Sequence, residues 1–365
     1  MKAIIAGGGT GGHIFPAVAI GHALQRLQPD TELLFVGANG KMEMEKVPQE
    51  GFKIVGLDIA GFNRSNLLKN IWLPFKIWKS RAQAKRILEE FNPDVVIGVG
   101  GYASFPMLFA AQSKGIPTLI QEQNSFAGKT NKILGKRANL ICVAYEGMDK
   151  FFPKAKIART GNPVRAIIAN SNISRGEGCA AFQLQPDKKT ILVVGGSLGA
   201  KSINEAIAAE LPLLMKEDVQ LIWQTGKLFE EMALNAASNY KGRVAVQAFI
   251  RNMEYAYAAA DVVVSRAGAM ASAELCIVGK PVIFVPYPYA AEDHQTSNAM
   301  ALVEKGAAIM VKDDRAKSDL VQALVQLLQQ EQKQMQMSKA IRTQAVVNAD
   351  ELIAQKVIEI STSKL

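Results

Sequence analysis

The chain of 365 residues has few of the side chains that build inorganic centres and crosslinks: three cysteines, three histidines and no Cys-x-x-Cys pair. Cys142, Cys179 and Cys276 are far apart and odd in number, so they exclude a disulfide framework and read as reduced, mostly buried thiols of a cytosolic protein. The histidines lack metal-ligand spacing and no Asp-x-Asp occurs, so neither a metal nor a cofactor is expected. There is no run of 18 uncharged apolar residues, which excludes a membrane-crossing helix. The opening MKAIIAGGGT turns glycine-rich after six residues, too soon for a secretory signal. With 49% apolar and 21% charged residues, the chain is neither disordered nor collagen-like.

What is present is a basic excess and a repeated syntax. Lys and Arg number 42 against 33 Asp and Glu, a net charge of +9 that favours an anionic partner. Short apolar runs at residues 3–6, 33–36, 95–99, 118–120 and 140–143 alternate with helix-length segments, the first of these helices opening near Pro16. The pattern restarts at 190–194 and recurs at 221–223, 244–246, 262–264 and 282–285. Apolar runs without alternation predict parallel strands covered on both faces. The fold class is therefore α/β, with two doubly wound, Rossmann-like parallel-sheet domains facing a cleft. The predicted domains are 1–163 and 164–345, hinged at Thr160-Gly161-Asn162-Pro163-Val164-Arg165, and a closing helix within about 346–365 is expected to pack back on the first.

Each half opens with a glycine-rich loop after its first strand: Gly7-Gly8-Gly9-Thr10-Gly11-Gly12-His13, and Gly195-Gly196-Ser197-Leu198-Gly199. Glycines at a strand-to-helix turn let backbone approach a ligand, and the helix end offers unpaired N–H groups to an anion. Tight strand-to-helix packing needs one glycine, not five. Gly7-x-Gly9-x-x-Gly12 also fits the dinucleotide fingerprint, which requires an acid at the carboxyl end of the second strand. Glu32 precedes that strand, and its exit, Val36-Gly37-Ala38-Asn39, carries no carboxylate. A nicotinamide or flavin enzyme is disfavoured.

The richest segment is Ser265-Arg266-Ala267-Gly268-Ala269-Met270-Ala271-Ser272-Ala273-Glu274. It predicts a turn at the carboxyl edge of the second sheet, then a helix with Glu274 in its early turns. There a carboxylate either accepts hydrogen bonds from two ribose hydroxyls or serves the helix dipole. Pro286-Tyr287-Pro288-Tyr289 leads into Glu292-Asp293-His294-Gln295-Thr296-Ser297-Asn298, a polar knot in which Gln295 offers an amide to sugar hydroxyls and Asp293 a helix cap.

GGTGGH, GGYASFP at 100–106, QEQN at 121–124, GNPVR at 161–165, GGSLGA at 195–200, SRAGAMASAEL at 265–275 and DHQTSNA at 293–299 occur in this order. Together they resemble the MurG family of peptidoglycan GlcNAc transferases across essentially the whole chain. The resemblance implies a GT-B fold and transfer of GlcNAc, with inversion, from UDP-GlcNAc to undecaprenyl-diphosphoryl-MurNAc-pentapeptide, giving lipid II. It implies a peripheral enzyme on the cytoplasmic face of the bacterial inner membrane. The family's donor pattern maps onto Arg165, Ser197, Ile250, Ala269, Met270, Ala271, Ser272, Ala273, Glu274 and Gln295. Ser197 would hold the diphosphate, Ile250 would meet the uracil through backbone groups, and Glu274 would bind the ribose. Thr10, Gly11, Gly12 and Asn124 would complete the sugar and acceptor side. The general base is His13, at the mouth of the first loop, or Glu122 in QEQN.

Residues 64–86 hold seven basic residues and no acid, with Leu68, Ile71, Trp72, Phe75 and Trp78 at spacings of three and four. Such a helix, with Lys76 and Lys79 beside its aromatic face and interrupted at Pro74, suits the interface of an anionic membrane. Two other classes remain: a UDP-GlcNAc epimerase of the same architecture, and a basic protein binding nucleic acid or membrane. The second leaves both glycine loops without purpose, so no nucleic acid is expected.

Overall fold

The computed structural model describes residues 1–59 and 73–362, with backbone alone for residues 73–78. The chain divides into two compact units, Met1–Arg165 with Val347–Leu365, and Ala166–Val346.

The first unit runs β1 (Lys2–Gly7), α1 (Gly11–Leu27), β2 (Glu32–Ala38), α2 (Glu43–Gln49) and β3 (Ile54–Leu57). After the undescribed stretch come α3 (Leu73–Phe91), β4 (Val95–Gly100), α4 (Ser104–Ser113) and β5 (Thr118–Glu122). Then follow α5 (Lys129–Gly135), β6 (Leu140–Val143) and β7 (Ile157–Arg159). The seven strands form one parallel sheet in the order β3-β2-β1-β4-β5-β6-β7. Both faces are covered, which is why β4 and β5 are buried at every position.

The second unit begins with α6 (Ala166–Ala169) and α7 (Arg175–Ala181), then β8 (Thr190–Val194), α8 (Lys201–Leu214), β9 (Gln220–Gln224) and α9 (Glu230–Ala237). It continues with β10 (Val244–Gln247), α10 (Met253–Ala259), β11 (Val262–Ser265), α11 (Ala269–Val278), β12 (Val282–Phe284) and α12 (His294–Val303). It closes with β13 (Ile309–Met310), α13 (Ala316–Leu328) and α14 (Glu331–Arg342). Its strands are parallel in the order β10-β9-β8-β11-β12-β13. The final helix, α15 (Ala349–Thr362), returns to the first unit, where Ile353, Ala354 and Val357 join the core under α1.

Some sequence expectations need correction. The first helix opens at Gly11, five residues before Pro16, which lies inside it. The interruption expected at Pro74 borders residues 60–72, which lie outside the described ones; from Leu73 onward α3 is continuous. The described half of α3 buries Ser80, Ala84, Ile87 and Leu88, a three-and-four spacing turned to the core. Among the described residues no helix is long and apolar enough to cross a membrane.

In both sheets the strand order reverses beside the first strand, between β1 and β4 and between β8 and β11. The carboxyl edge at such a reversal opens a crevice between diverging loops, where ligands of doubly wound sheets bind. Both glycine loops leave their strands there.

Candidate active site

In the first unit the glycine loop is tied down at two of its amides. Gly8 N donates to Gly100 O (3.2 Å), and Gly9 N donates to Glu43 Oε2 (2.8 Å). The other Glu43 oxygen accepts from Ala38 N at 3.0 Å, and the side chain is 1% exposed. Nothing near residue 43 in the sequence announces this. With those amides used internally, the first-turn amides of Gly11 and Gly12 remain as anion donors, since no carbonyl of their own helix reaches them.

His13 is half-buried in the first turn of α1. Its Nδ1 lies 3.0 Å from Gly8 O and 3.2 Å from Thr10 Oγ1. A carbonyl only accepts, so in the neutral ring Nδ1 carries the hydrogen and Nε2 holds the basic lone pair. The ring edge bearing Nε2 packs on Gly100: a Cβ there would come within 2.8 Å of Nε2, and its φ of +93° also disfavours any side chain. Ser104 Oγ stitches this corner by donating toward Ala6 O (2.8 Å) and accepting from Gly100 N (3.1 Å).

Glu122, the rival base, has a different environment. It is 2% exposed, and each oxygen accepts two donors: Asn124 N and Nδ2 (3.1 and 3.3 Å), and Gly128 N and Asn131 Nδ2 (3.1 and 2.8 Å). Burial pushes its carboxyl up from the ordinary range, and these four donors pull the other way. Glu122 folds the loop after β5 over itself and sets Asn124. In the same segment Gln121 Nε2 donates to Asn162 Oδ1 (3.0 Å) and Asn162 Nδ2 to Gln123 O (2.9 Å), which fixes the GNPVR strand exit to QEQN. Arg165 is half-buried at the last position before the chain enters the second unit.

In the second unit Gln224, at the end of β9, joins two predicted site elements. Its Nε2 donates to Gly196 O (2.9 Å) and its Oε1 accepts from Ile250 N (2.8 Å). The Ile250 N–H is therefore occupied, which narrows the expected backbone role to its carbonyl. Ser197 is exposed at the loop tip. Across the reversal point, α11 is capped at Gly268 and its first turn is Ala269 to Ser272, with Ser272 N closing on Gly268 O (2.9 Å). The Ser272 hydroxyl is buried without a hydrogen-bond partner among the described residues, and Ala271 and Ala273 flank it half-buried. Met270 is likewise half-buried.

Glu274 stands in the second turn, 8% exposed, and accepts from the hydroxyl of Tyr257 on α10 at 3.0 Å. A carboxylate held by a buried phenol is oriented more narrowly than a helix-dipole partner needs. Gln295 Oε1 accepts from Tyr287 N (2.9 Å), pinning the Pro-Tyr-Pro-Tyr loop and leaving the amide nitrogen to donate elsewhere. Asp293 occupies the cap position of α12, but its carboxylate accepts from Thr296 Oγ1 (2.6 Å) and makes no bond to the helix backbone. Arg266 lies beside the site yet is clamped to Val285 O, Pro286 O and Asp313.

Trp72 lies outside the described residues, as do the side chains of Phe75, Lys76 and Trp78. Lys79 is exposed and paired with Asp58 (2.9 Å), whose carboxyl it holds below the ordinary range. The acid that residues 64–86 lack is thus supplied from the end of β3. All three cysteines are buried and free, and burial pushes the Cys142 and Cys276 thiols up to about 12, which removes them as nucleophiles. Among the described residues no group of His, Cys, Asp and Glu is placed to hold a metal ion.

Residues 3–143 match the glycosyltransferase family 28 N-terminal domain, and residues 190–353 match the glycosyltransferase family 28 C-terminal domain. A protein of Parabacteroides distasonis, named UDP-N-acetylglucosamine--N-acetylmuramyl-(pentapeptide) pyrophosphoryl-undecaprenol N-acetylglucosamine transferase, is 50% identical over 364 residues, covering 100% of this chain and 99% of that protein. A protein of the same name from Cytophaga hutchinsonii is 51% identical, covering 98% and 96%. Among solved structures, the MurG of Acinetobacter baumannii superposes with a TM-score of 0.79 at 29% identity, covering 98% of this chain and 99% of that one. The UDP-GlcNAc 2-epimerase of Neisseria meningitidis reaches 0.68 at 16% identity, covering 98% and 100%, a likeness of fold alone.

Proposed function

We propose, from the premise that this chain belongs to glycosyltransferase family 28 and within it to the MurG family, that it transfers GlcNAc from UDP-GlcNAc to undecaprenyl-diphosphoryl-MurNAc-pentapeptide. What carries this reading is the 50% identity to the Parabacteroides transferase, because it spans every motif of both units. The epimerase alternative shares only the fold.

In this reading the second unit holds the donor. The open amides at the start of α11 and the loop around Ser197 bind the diphosphate and stabilise the charge that grows on the leaving UDP, with Arg165 adding to it. The Ile250 carbonyl meets the uracil, the Glu274 carboxylate accepts from ribose hydroxyls, and the Gln295 amide donates to the GlcNAc. The first unit supplies the acceptor side through Thr10, Gly11, Gly12 and Asn124. His13 Nε2 takes the proton of the acceptor hydroxyl as its oxygen bonds to the anomeric carbon and the bond to UDP breaks. Displacement in one step inverts that carbon. No metal or other cofactor enters the scheme. The basic and aromatic residues Trp72, Phe75, Lys76, Trp78 and Lys79 bring the enzyme to the anionic cytoplasmic face of the membrane as a peripheral protein, and nucleic acid has no part.

The deciding experiment is UDP release from UDP-GlcNAc with and without a short-chain lipid diphosphate carrying MurNAc-pentapeptide. Release that requires acceptor and yields a disaccharide is expected; donor turnover without acceptor would sink the proposal in favour of epimerase or hydrolase chemistry.

A smaller effect tests the donor site. Tyr257→Phe removes only the hydroxyl that orients Glu274, a hydrogen bond to a charged group worth about 1.5–3 kcal/mol. We expect KM for UDP-GlcNAc to rise roughly 10-fold, with kcat close to the parent. A fall in kcat at unchanged KM would remove Tyr257 from donor binding.

A further inference from the structure

The amino edge of the second sheet, opposite the edge with the glycine loop, carries a hollow of about 490 Å³. Three cations line it, Lys280, Lys339 and Arg342, together with Ser338, Met335 and Asp261. Positions 335, 338, 339 and 342 recur at three and four along α14 and so share one face, while Met337 and Ile341 bury the other. Arg342 lies flat across the end of α11: a Cβ on Gly279 would come within 2.0 Å of its Nε. Only glycine lets the guanidinium into this corner.

The charges there do not cancel. Asp261 is already bound in fork geometry by Arg175 at 2.9 Å on each oxygen, and it also accepts from Thr190 N. Among the described residues Lys280, Lys339 and Arg342 make no ion pair. Burial lowers the Lys280 ammonium from the ordinary lysine range; Arg175 and Arg342 push it the same way and Asp261 opposes them. Lys280 is half-buried while Lys339 and Arg342 are exposed, and the Arg342 charge repels the Lys280 ammonium until an anion joins them. The size lies within the range of small-ligand pockets, and Met335, 72% exposed, offers an apolar wall beside the charges.

We propose that this hollow is a second anion site, which binds a phosphate ester, free or as a lipid headgroup, through Lys280, Lys339 and Arg342. It is distinct from the donor site, because α11 carries the donor motif at one end and this corner at the other, about 15 Å away.

The test is thermal unfolding of the full chain in saturating UDP, which fills the donor site, with and without inorganic pyrophosphate. The parent should gain Tm on adding pyrophosphate, and Lys280→Met and Arg342→Gln should each weaken binding at least about 10-fold, as loss of a charged hydrogen bond predicts. Without pyrophosphate, Lys280→Met should match or exceed the parent in Tm. No gain in the parent, or a gain that survives in both variants, would overturn the site. Two low-Tm variants without any parent response would mean that the cations serve only the end of α11. Sedimentation with phosphatidylglycerol or phosphatidylcholine vesicles separates the sources: affinity for the first that is weakened in both variants, above the binding that residues 72–79 supply, assigns the headgroup, and pyrophosphate binding with vesicle affinity equal to the parent's assigns a free ligand.

Discussion

His13→Ala is expected to lower kcat by about 10²- to 10⁴-fold, the range for removing a general base, while the affinity for UDP-GlcNAc stays within about 2-fold of the parent. The affinity is spared because the donor motifs, Arg165 aside, belong to the other unit. The base must be unprotonated to act, so the low-pH limb of the kcat/KM profile should disappear with the imidazole. A second variant approaches the same ring from outside. Gly100→Ala introduces a methyl 2.8 Å from His13 Nε2 and Cδ2 and should displace the ring without removing it. If His13→Ala keeps normal turnover, His13 leaves the mechanism. If turnover falls but the low-pH limb persists, the base lies elsewhere, and Glu122 becomes the group to replace.

The sequence makes the reacting edge of each sheet legible because the chemistry there rests on local runs. A glycine loop, its strand and its helix are contiguous, and so are the residues from Ser265 to Glu274. The interior strands are legible for the same reason, since burial on both faces demands unbroken apolar runs. The strands that escaped are β3, β7 and β13, all at sheet edges and two to four residues long. Half-exposed and short, they need no apolar run to be paired.

The supports of the site escaped for a different reason. Glu43, Gln224 and Tyr257 act across 34, 28 or 26, and 17 residues of chain, on Gly9, on Gly196 and Ile250, and on Glu274 respectively. Each resembles an ordinary surface or strand residue until the fold brings its partner near. The sequence did hold a faint sign at Gln224 and Glu122, polar residues closing apolar strands at the carboxyl edge, where a side chain meets loops and not core. The basic stretch 64–86 reads differently once Asp58 is seen beside Lys79, for the charge along a segment omits what neighbouring strands contribute.

Glu43→Gln should have the largest effect of any substitution outside the reacting groups. The two side chains have the same shape, so packing against Gly8 and Gly37 is conserved. What changes is hydrogen-bond polarity. Both Glu43 oxygens accept from backbone, Oε1 from Ala38 N at 3.0 Å and Oε2 from Gly9 N at 2.8 Å. An amide has one oxygen, so its NH₂ must face one of these N–H groups, donor against donor, in a site 1% exposed where water cannot intervene. Leaving a buried donor unsatisfied costs about 1–3 kcal/mol, and losing the charged acceptor adds to it. The expected loss in unfolding free energy is therefore about 2–4 kcal/mol, read from denaturant midpoints at constant m. Activity should fall further than stability explains. Gly9 N is the anchor that aims the first turn of α1, and His13 hangs on Gly8 O one residue away. With the loop released, kcat should drop at temperatures where the variant is still fully folded. A variant with parent stability and parent turnover would mean that the glycine loop holds its shape without the carboxylate, through the Gly8–Gly100 bond alone.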